Sequence, residues 1–316
     1  NVWGYPFADT LYEMLFYQPL LHLQKQKPYR AALVSPDAVA EGITRMLITA
    51  RSSGRVLYSI DFSAFDASVH FRYIEKAFDY IKSCYAPDFE PFLSNVCRRI
   101  HSVSIVTPTG VYRGNHGIPS GSTFTNELGS IVQLGIACTN DFIASKDTMI
   151  QGDDGVYILP LEKIKEFESS FTRAGLNINK SKSRISADYV LFCQCLYHVD
   201  YMENDHIGGI YPTYRALNRL MFQEKFVNFK KYGIKGRDYY SIRCLTILEN
   251  LKYHPLFELF VRFIMKKEKF LSDLSNDSIL KYVSYINPNA VEGSVVNSQY
   301  GSEVIGIKNF ESYKLI

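Results

Sequence analysis

The chain predicts an α+β architecture, an antiparallel sheet with helices on one face, and three observations carry that expectation. Val56-Leu57-Tyr58-Ser59-Ile60 is a continuous apolar run that stops on Asp61, as a buried strand would. Met149-Ile150 and Val156 to Leu159 flank Gln151-Gly152-Asp153-Asp154-Gly155, a hairpin in which Gly152 and Gly155 are read as supplying positive φ. Apolar residues between and after these strands recur at helical spacing. The alternation, with the hairpin in its middle, lets the strand carrying Asp61 lie beside the tip carrying Asp153 and Asp154.

Taken in order, Gly4-Tyr5-Pro6 reads as a turn, followed by a helix whose apolar positions are Leu11, Met14, Leu15 and Leu20. Lys25, Lys27, Pro28 and Arg30 read as a basic loop. Ser35-Pro36-Asp37 starts a helix with Val39, Ile43 and Leu47 on one face, and Ser52-Ser53-Gly54 ends it. After the Asp61 strand, helices are predicted over 69–84 and 87–101, with Asp66 a possible cap of the first. Val103 to Val106 and Val111 to Arg113 form a hairpin. The small-residue loop Gly117 to Asn126 then opens a helix running to about residue 143, with Leu128, Val132 and Ile136 on one face. A Ser N-cap alone would account for that loop.

Beyond the acidic hairpin, a helix from Leu161 to Ala174 turns Ile164, Phe167 and Phe171 inward and ends at Gly175. Leu176 to Asn179 is a short strand leading to Lys180-Ser181-Lys182. Tyr189 to Tyr197 alternates like one strand, Gly208-Gly209 marks a turn, residues 213–285 read as helices, and 287–316 as loop or extended tail.

With 316 residues, 47% of them hydrophobic, the chain can bury a large core in two or three subregions, as an ordinary soluble protein does. No run approaches the roughly 20 apolar residues of a membrane span, and no charged-then-apolar signal opens the chain. It begins with Asn1 and not Met, the expected start of a piece of something longer. Six cysteines without a Cys-x-x-Cys suit buried thiols in a reducing compartment; Cys193, Cys195 and His198 lack a fourth ligand for a metal. The net charge of +3 hides an asymmetry: residues 213–270 hold 13 Lys or Arg against 5 Asp or Glu. Such a surplus is either a solvated helical surface or a footprint for a polyanion. The 23 Tyr and 21 Phe are mostly core filling, although several lie among Lys and Arg as base-stacking residues do.

Three carboxylates converging at a sheet rim, with no basic neighbour in sequence, form the oxygen-rich arrangement that holds divalent cations for phosphoryl and nucleotidyl transfer. A solvated acidic turn is the plainer reading of Gly-Asp-Asp-Gly taken alone. The order of motifs decides between them. Asp61-x-x-x-x-Asp66, then Ser120-Gly121-x-x-x-Thr125, then Gly152-Asp153-Asp154, then Lys182, resembles motifs A, B, C and D of viral RNA-dependent RNA polymerases, over roughly residues 1–200. Gly117-Ile118-Pro119-Ser120-Gly121-Ser122, Phe124-Thr125 and Val2-Trp3-Gly4-Tyr5-Pro6 are similar to the polymerases of picobirnaviruses and partitiviruses, small double-stranded RNA viruses.

The resemblance implies a right-hand polymerase with a ferredoxin-like palm: residues 1–55 the C-terminal part of the fingers, 56–200 the palm with a fingers insertion at about 86–116, and 201–316 a helical thumb and tail. It implies that Asp61 and Asp153 hold two Mg²⁺ (or Mn²⁺) ions with Asp154 supporting, and that Lys182 protonates the pyrophosphate, with Lys180 as competitor. Asp66, Ser120, Gly121, Thr125 and Asn126 would bind the nucleotide, mainly its sugar. Tyr189 to Tyr197 and a strand near Ile207 to Tyr211 would grip the primer. The implied partners are template and nascent RNA, ribonucleoside triphosphates and a viral capsid, with no membrane, in the host cytoplasm or inside the virion.

Two departures stand out. Gly129 occupies a position where the family often has Asn, which shifts sugar selection to Asp66 with Asn126 or Ser130. A basic fingers strand expected just before Val2 is not in the sequence, so the chain alone is expected to be inactive. Reverse transcriptases place a bulky aromatic where Asp66 stands. Nucleotide cyclases give no reason for the Ser120-Gly121 loop or the basic helices. A non-catalytic RNA-binding or capsid-associated protein would not need the acids intact.

Overall fold

A computed structural model of the chain describes residues 4–223, 227–268, 271, 274–286, 294–296 and 303–316. Val2 and Trp3 of the N-terminal motif lie outside them. The chain divides into two compact units: Asn1–Cys193 with Tyr197–Ile207, and Gln194–Leu196 with Gly208–Ile316.

The first unit opens with α1 (Phe7–Gln24), which turns Asp9, Glu13, Phe16, Leu20 and Gln24 inward. Of the four apolar positions expected to face inward, Leu20 does so, whereas Leu11 and Leu15 are 55% and 67% exposed. The inward acids are matched by partners far along the chain: Arg99 grips Asp9 through two bonds of 2.6 and 2.7 Å. Apolar periodicity cannot register such pairs. A 3₁₀ turn, Pro28–Leu33, follows where the sequence reads as a basic loop, and it buries Tyr29 and Arg30. In α2 (Pro36–Ser52) the Ser35 side chain accepts from the Ala38 amide at 3.0 Å, and Val39, Ile43 and Leu47 are buried as their spacing predicts.

Then come β1 (Val56–Ile60), β2 (Phe62–Ser63), the short α3 (Phe65–Ser68), α4 (Phe71–Ser83) and α5 (Glu90–Ser102). His70, not Asp66, caps α4. The hairpin β3 (Ile105–Thr107) and β4 (Gly110–Tyr112) leads through the small-residue loop to α6 (Thr125–Ala137), which buries Leu128, Val132 and Ile136 but ends well before residue 143. Next are β5 (Thr148–Gln151), β6 (Asp154–Leu159), α7 (Ile164–Arg173), β7 (Asn177–Ile178) and β8 (Arg184–Ser186). The stretch 189–197 is two strands and not one. β9 (Tyr189–Phe192) and β10 (Cys195–His198) are separated by Cys193 and Gln194, both with positive φ. A second such turn at Asn204-Asp205 joins β11 (Met202–Glu203) to β12 (His206–Ile207).

The main sheet has the order β5-β6-β1-β8, antiparallel throughout. Tyr58, Ile60, Ile150, Tyr157 and Leu159 join the core formed with Ile74, Phe78, Leu93, Leu128, Phe167 and Phe171 of α4 to α7. The alternate strand residues Leu57, Met149, Val156 and Ile158 are just as buried. On that face α2 packs, with Met149 Cε filling the space that a side chain at position 42 would need. Helices therefore cover both faces, where the sequence suggests one.

The second unit is helical, comprising α8 (Thr213–Met221), α9 (Gly236–Glu249), α10 (Phe257–Met265) and α11 (Asn276–Ile286), with the antiparallel pair β13 (Ser294–Val296) and β14 (Glu303–Ile305) and α12 (Glu311–Lys314). Ile242, Leu245, Leu248, Leu251, Val261 and Val283 form its core. The C-terminal residues read as tail are partly folded: Ile307 and Phe310 are buried in this core, and the Ser312 hydroxyl donates to Glu249 at 3.0 Å. Their apolar spacing is too short and too diluted by Asn and Ser to stand out. Of the six cysteines only Cys97 and Cys244 are buried, and Cys138 is exposed. No helix among the described residues is long and apolar enough to cross a membrane.

Candidate active site

The site forms where β1 runs out. Ile60 pairs with Gly155, so Asp61 emerges beside the tip of the β5–β6 hairpin. Gly152 has φ +65° and makes the turn. Gly155, read as a second turn glycine, is instead part of β6. Its bareness serves packing, since a Cβ there would meet the Gln133 amide and the Tyr157 ring at 2.9 Å.

Asp61 is fixed by its backbone. Its amide donates to Ser183 Oγ at 3.0 Å, and its carbonyl accepts from the Asn179 amide at 2.8 Å. The turn carrying Lys182 is thereby tied to the first acid. Lys182 is exposed and close enough to Asp153 to favour its ionised form, whereas Lys180 pairs with Glu168 at 3.4 Å. Of the two lysines, Lys182 is the one beside the acids.

After Asp61 the chain reverses sharply. Ala64 sits in the left-handed region (φ 51°, ψ 45°), a conformation costly for a residue with a Cβ, and it launches α3 with Asp66 in its first turn. The Asp66 carbonyl accepts from Ile118 N at 2.8 Å, and a Cβ on Gly117 would lie 2.2 Å from that oxygen. Gly117 thus permits the close approach that brings the Ser120-Gly121 loop to Asp66.

The electrostatics record the convergence. Burial, then the Asp153 carboxylate, pushes the Asp66 carboxyl up to about 6. Burial, then the Asp61 carboxylate, raises Asp153, although the residue lies exposed at the hairpin tip. Asp61 Oδ2 is buried with no hydrogen-bond partner. An orphaned carboxylate oxygen beside mutually repelling acids is a donor set suited to a hard divalent cation. Among the described residues, no three His, Cys, Asp or Glu side chains are gathered closely enough to form a finished cage. Asp154 opens β6 opposite Gln151.

Around the loop and α6, Glu13 and Gln133 join the residues named from the sequence, and these two sequence reasoning missed. Glu13, 2% exposed, reaches from α1 into the loop. Its Oε2 accepts from Ser122 Oγ, Thr123 N and Thr123 Oγ1 at 2.8–2.9 Å, and its Oε1 from the Tyr5 hydroxyl at 2.7 Å. Ser120 and Gly121, half-buried, precede these anchors. The Thr125 hydroxyl is placed 2.8 Å from the carbonyls of both Pro119 and Ser122, so it closes the loop. Along α6, Asn126, Ser130 and Gln133 line the hairpin: Ser130 Oγ accepts from Gly152 N at 2.8 Å, and Gln133 Nε2 donates to the Asp153 carbonyl at 3.1 Å. Gly129 lies between them, where a Cβ would be 3.4 Å from Gly152 and 3.1 Å from Phe65. A longer side chain has no room, which explains the departure at this position. The i, i+4, i+7 spacing of 126, 130 and 133 was the available signal.

A family model described as viral RNA-dependent RNA polymerase matches residues 1–206. The chain belongs to this family. Among curated viral RNA-dependent RNA polymerases, it is 32% identical over 279 residues to a potential RNA-dependent RNA polymerase of a human picobirnavirus, covering 85% of this chain and 51% of that protein. It is 28% identical over 207 residues to the RNA-directed RNA polymerase of Cryptosporidium parvum virus 1, covering 60% of this chain and 38% of that protein. The crystal structure of the RNA-dependent RNA polymerase of a human picobirnavirus superposes with a TM-score of 0.82 at 27% identity, over 99% of this chain and 60% of that one. Its insertion-loop deletion mutant gives 0.79 at 28% identity, over 99% and 59%. The chain spans about half the length of the picobirnavirus relative it matches. The fold is that of a right-hand polymerase, with the antiparallel sheet as palm, partial fingers and a helical thumb.

Proposed function

We propose that the protein containing this chain carries out template-directed RNA synthesis by nucleotidyl transfer, for replication and transcription of a viral genome. The observation that carries the reading is the grouping of Asp61, Asp66, Asp153 and Lys182 at one end of the sheet, coupled through their charges.

Asp61 and Asp153 would hold the metal, with Asp154 in support; Asp61 Oδ2 is available because nothing else bonds it. Two Mg²⁺ or Mn²⁺ ions bound there supply Lewis acidity for the RNA 3′-hydroxyl and the triphosphate. Asp66 accepts the ribose 2′-hydroxyl proton in a hydrogen bond, and Asn126 adds a donor from its amide nitrogen, so a deoxyribose leaves both without that partner. The loop from Ser120, anchored by Glu13, shapes the sugar side. Lys182 gives its proton to the leaving pyrophosphate oxygen. Residues 1–55 serve as fingers, 56–200 as palm and 201–316 as thumb, whose basic helices contact RNA phosphates. Template and nascent RNA, ribonucleoside triphosphates and a capsid are the partners, in host cytoplasm or virion.

Primer extension with ribonucleotides, using the chain with its native flanking sequence, tests this. We expect Asp153→Ala together with Asp154→Ala to lower the rate about a thousand-fold, on the order of 4 kcal/mol. Undiminished synthesis by that variant would refute the metal assignment.

A further inference from the structure

Behind the site lies an ion pair that no motif covers. Arg30 and Glu127 are both fully removed from solvent and meet at 3.0 Å. Arg30 Nη2 also donates to Asn126 Oδ1 at 2.9 Å, while Nη1 donates to the Ile150 carbonyl at 3.2 Å and to Ser130 Oγ. That hydroxyl in turn donates to the Asn126 carbonyl at 2.7 Å and accepts from the Gly152 amide at 2.8 Å. One guanidinium therefore joins the start of α6, strand β5 and, through a single hydroxyl, the residue before Asp153.

As a stabilising device the pair is poorly made. Arg30 Nε and Glu127 Oε1 are buried without hydrogen-bond partners. Burial pushes the Glu127 carboxyl up even with the guanidinium against it. Two charges taken out of water with bonding atoms left over are only partly offset by their attraction, and an apolar pair of similar volume stabilises as well or better. An apolar pair could not orient its neighbours, however. With Oδ1 held by Arg30, the Asn126 amide nitrogen faces the hairpin, 3.1 Å from where a Cβ on Gly152 would stand.

We propose that Arg30 is a positioning residue, which sets the Gly152-Asp153 turn through Ser130 and the carboxamide of Asn126 directly. It touches no substrate. Its kinetic consequence rests on the polymerase reading, while its effect on the hairpin does not.

Arg30→Met combined with Glu127→Leu removes the pair without leaving a lone charge. In the chain with its native flanking sequence, three quantities decide: thermal midpoint, hydrogen exchange of peptides spanning 149–155 against 56–60, and kcat and KM for a single ribonucleotide. We expect a midpoint near wild type, the relief of the desolvated pair offsetting the donors lost to Asn126 and Ile150, and exchange about tenfold faster at 149–155 but unchanged at 56–60. We also expect kcat to fall about tenfold with little change in KM. Wild-type exchange at 149–155, or wild-type kcat in a stably folded double variant, would overturn the proposal. If the double variant does not fold, Arg30→Lys replaces it: one ammonium cannot span the same acceptors, so the same local exchange increase is expected, and its absence overturns the proposal. A wild-type protein that makes no RNA would refute the polymerase reading, and the exchange comparison would still judge Arg30.

Discussion

The two units bury different things. The first encloses Asp9, Glu13, Gln24, Arg30, Glu127, Ser130 and Gln133 among its apolar residues, while the second encloses mainly aliphatic and tyrosine side chains, with Asp238 its one buried charge among the described residues. In the second unit Tyr232 packs on Tyr239, Tyr282 and Tyr285 at centroid distances of 5.7, 5.2 and 4.7 Å. Even Asp238 has a local task, accepting from Ser278 at 2.6 Å between α9 and α11. In the first unit Asp9 and Gln24 also bond within the fold, but Glu13, Ser130 and Gln133 reach the loop and the turn that carry the candidate site. Apolar packing sets how firmly a unit is folded; directional bonds set where a particular backbone atom stands.

That contrast can be broken in four ways beyond the metal-site variant. Removing Glu13 should have the largest effect, because Ser122, Thr123 and Tyr5 lose their acceptor at once. Glu13→Ala is expected to cost about 3 kcal/mol by chemical denaturation and to slow nucleotide incorporation by about a hundred-fold. A loss of stability with normal incorporation would show that the loop keeps its shape unaided. Leu248→Ala, at a fully buried position of the second unit, should also cost about 3 kcal/mol. Here hydrogen exchange at 149–155 should stay at the wild-type rate, and faster exchange there would contradict the division into polar positioning and apolar stabilisation.

A smaller effect is expected at Ala64. Ala64→Val puts a branched side chain into a left-handed conformation and should destabilise by about 1–2 kcal/mol, read from the denaturation midpoint, whereas Ala64→Gly should not. The smallest concerns pH. Asp66 titrates at about 6 in the fold against 3.8 for the ordinary group, so the folded state holds the proton more tightly. Stability from this group is present below about pH 4 and is lost as pH rises towards 6. Asp66→Asn, with chelator present, should flatten that slope by roughly 1 kcal/mol after discounting for partial exposure. An unchanged slope would mean that neither burial nor the Asp153 carboxylate raises the Asp66 carboxyl in the fold.

Much of this protein was readable from local pattern. The Val56–Ile60 strand, the 149–159 hairpin, the Ser35 cap and the inner faces of α2 and α6 follow from periodicity and turn chemistry, which depend on residues within one or two turns of each other. The four ordered motifs, and through them the family, were readable for the same reason. The inner face of α1 was only partly readable: Leu20 is buried, but Leu11 and Leu15 point outward because the inward positions Asp9 and Glu13 have partners 90 and about 110 residues away. Arg30 looked like a loop cation because Glu127, Ser130 and Ile150, which surround it, lie 97 to 120 residues on. Gly155 and Gly129 looked like turn and departure, yet both are bare because another segment occupies the space. The sequence by itself determined most of the elements and, through the ordered motifs, the family. Tertiary structure alone decided which lysine stands beside the acids and which groups the buried charges bond, because a hydrogen bond needs two groups at one point in space and chain-local order does not specify the second.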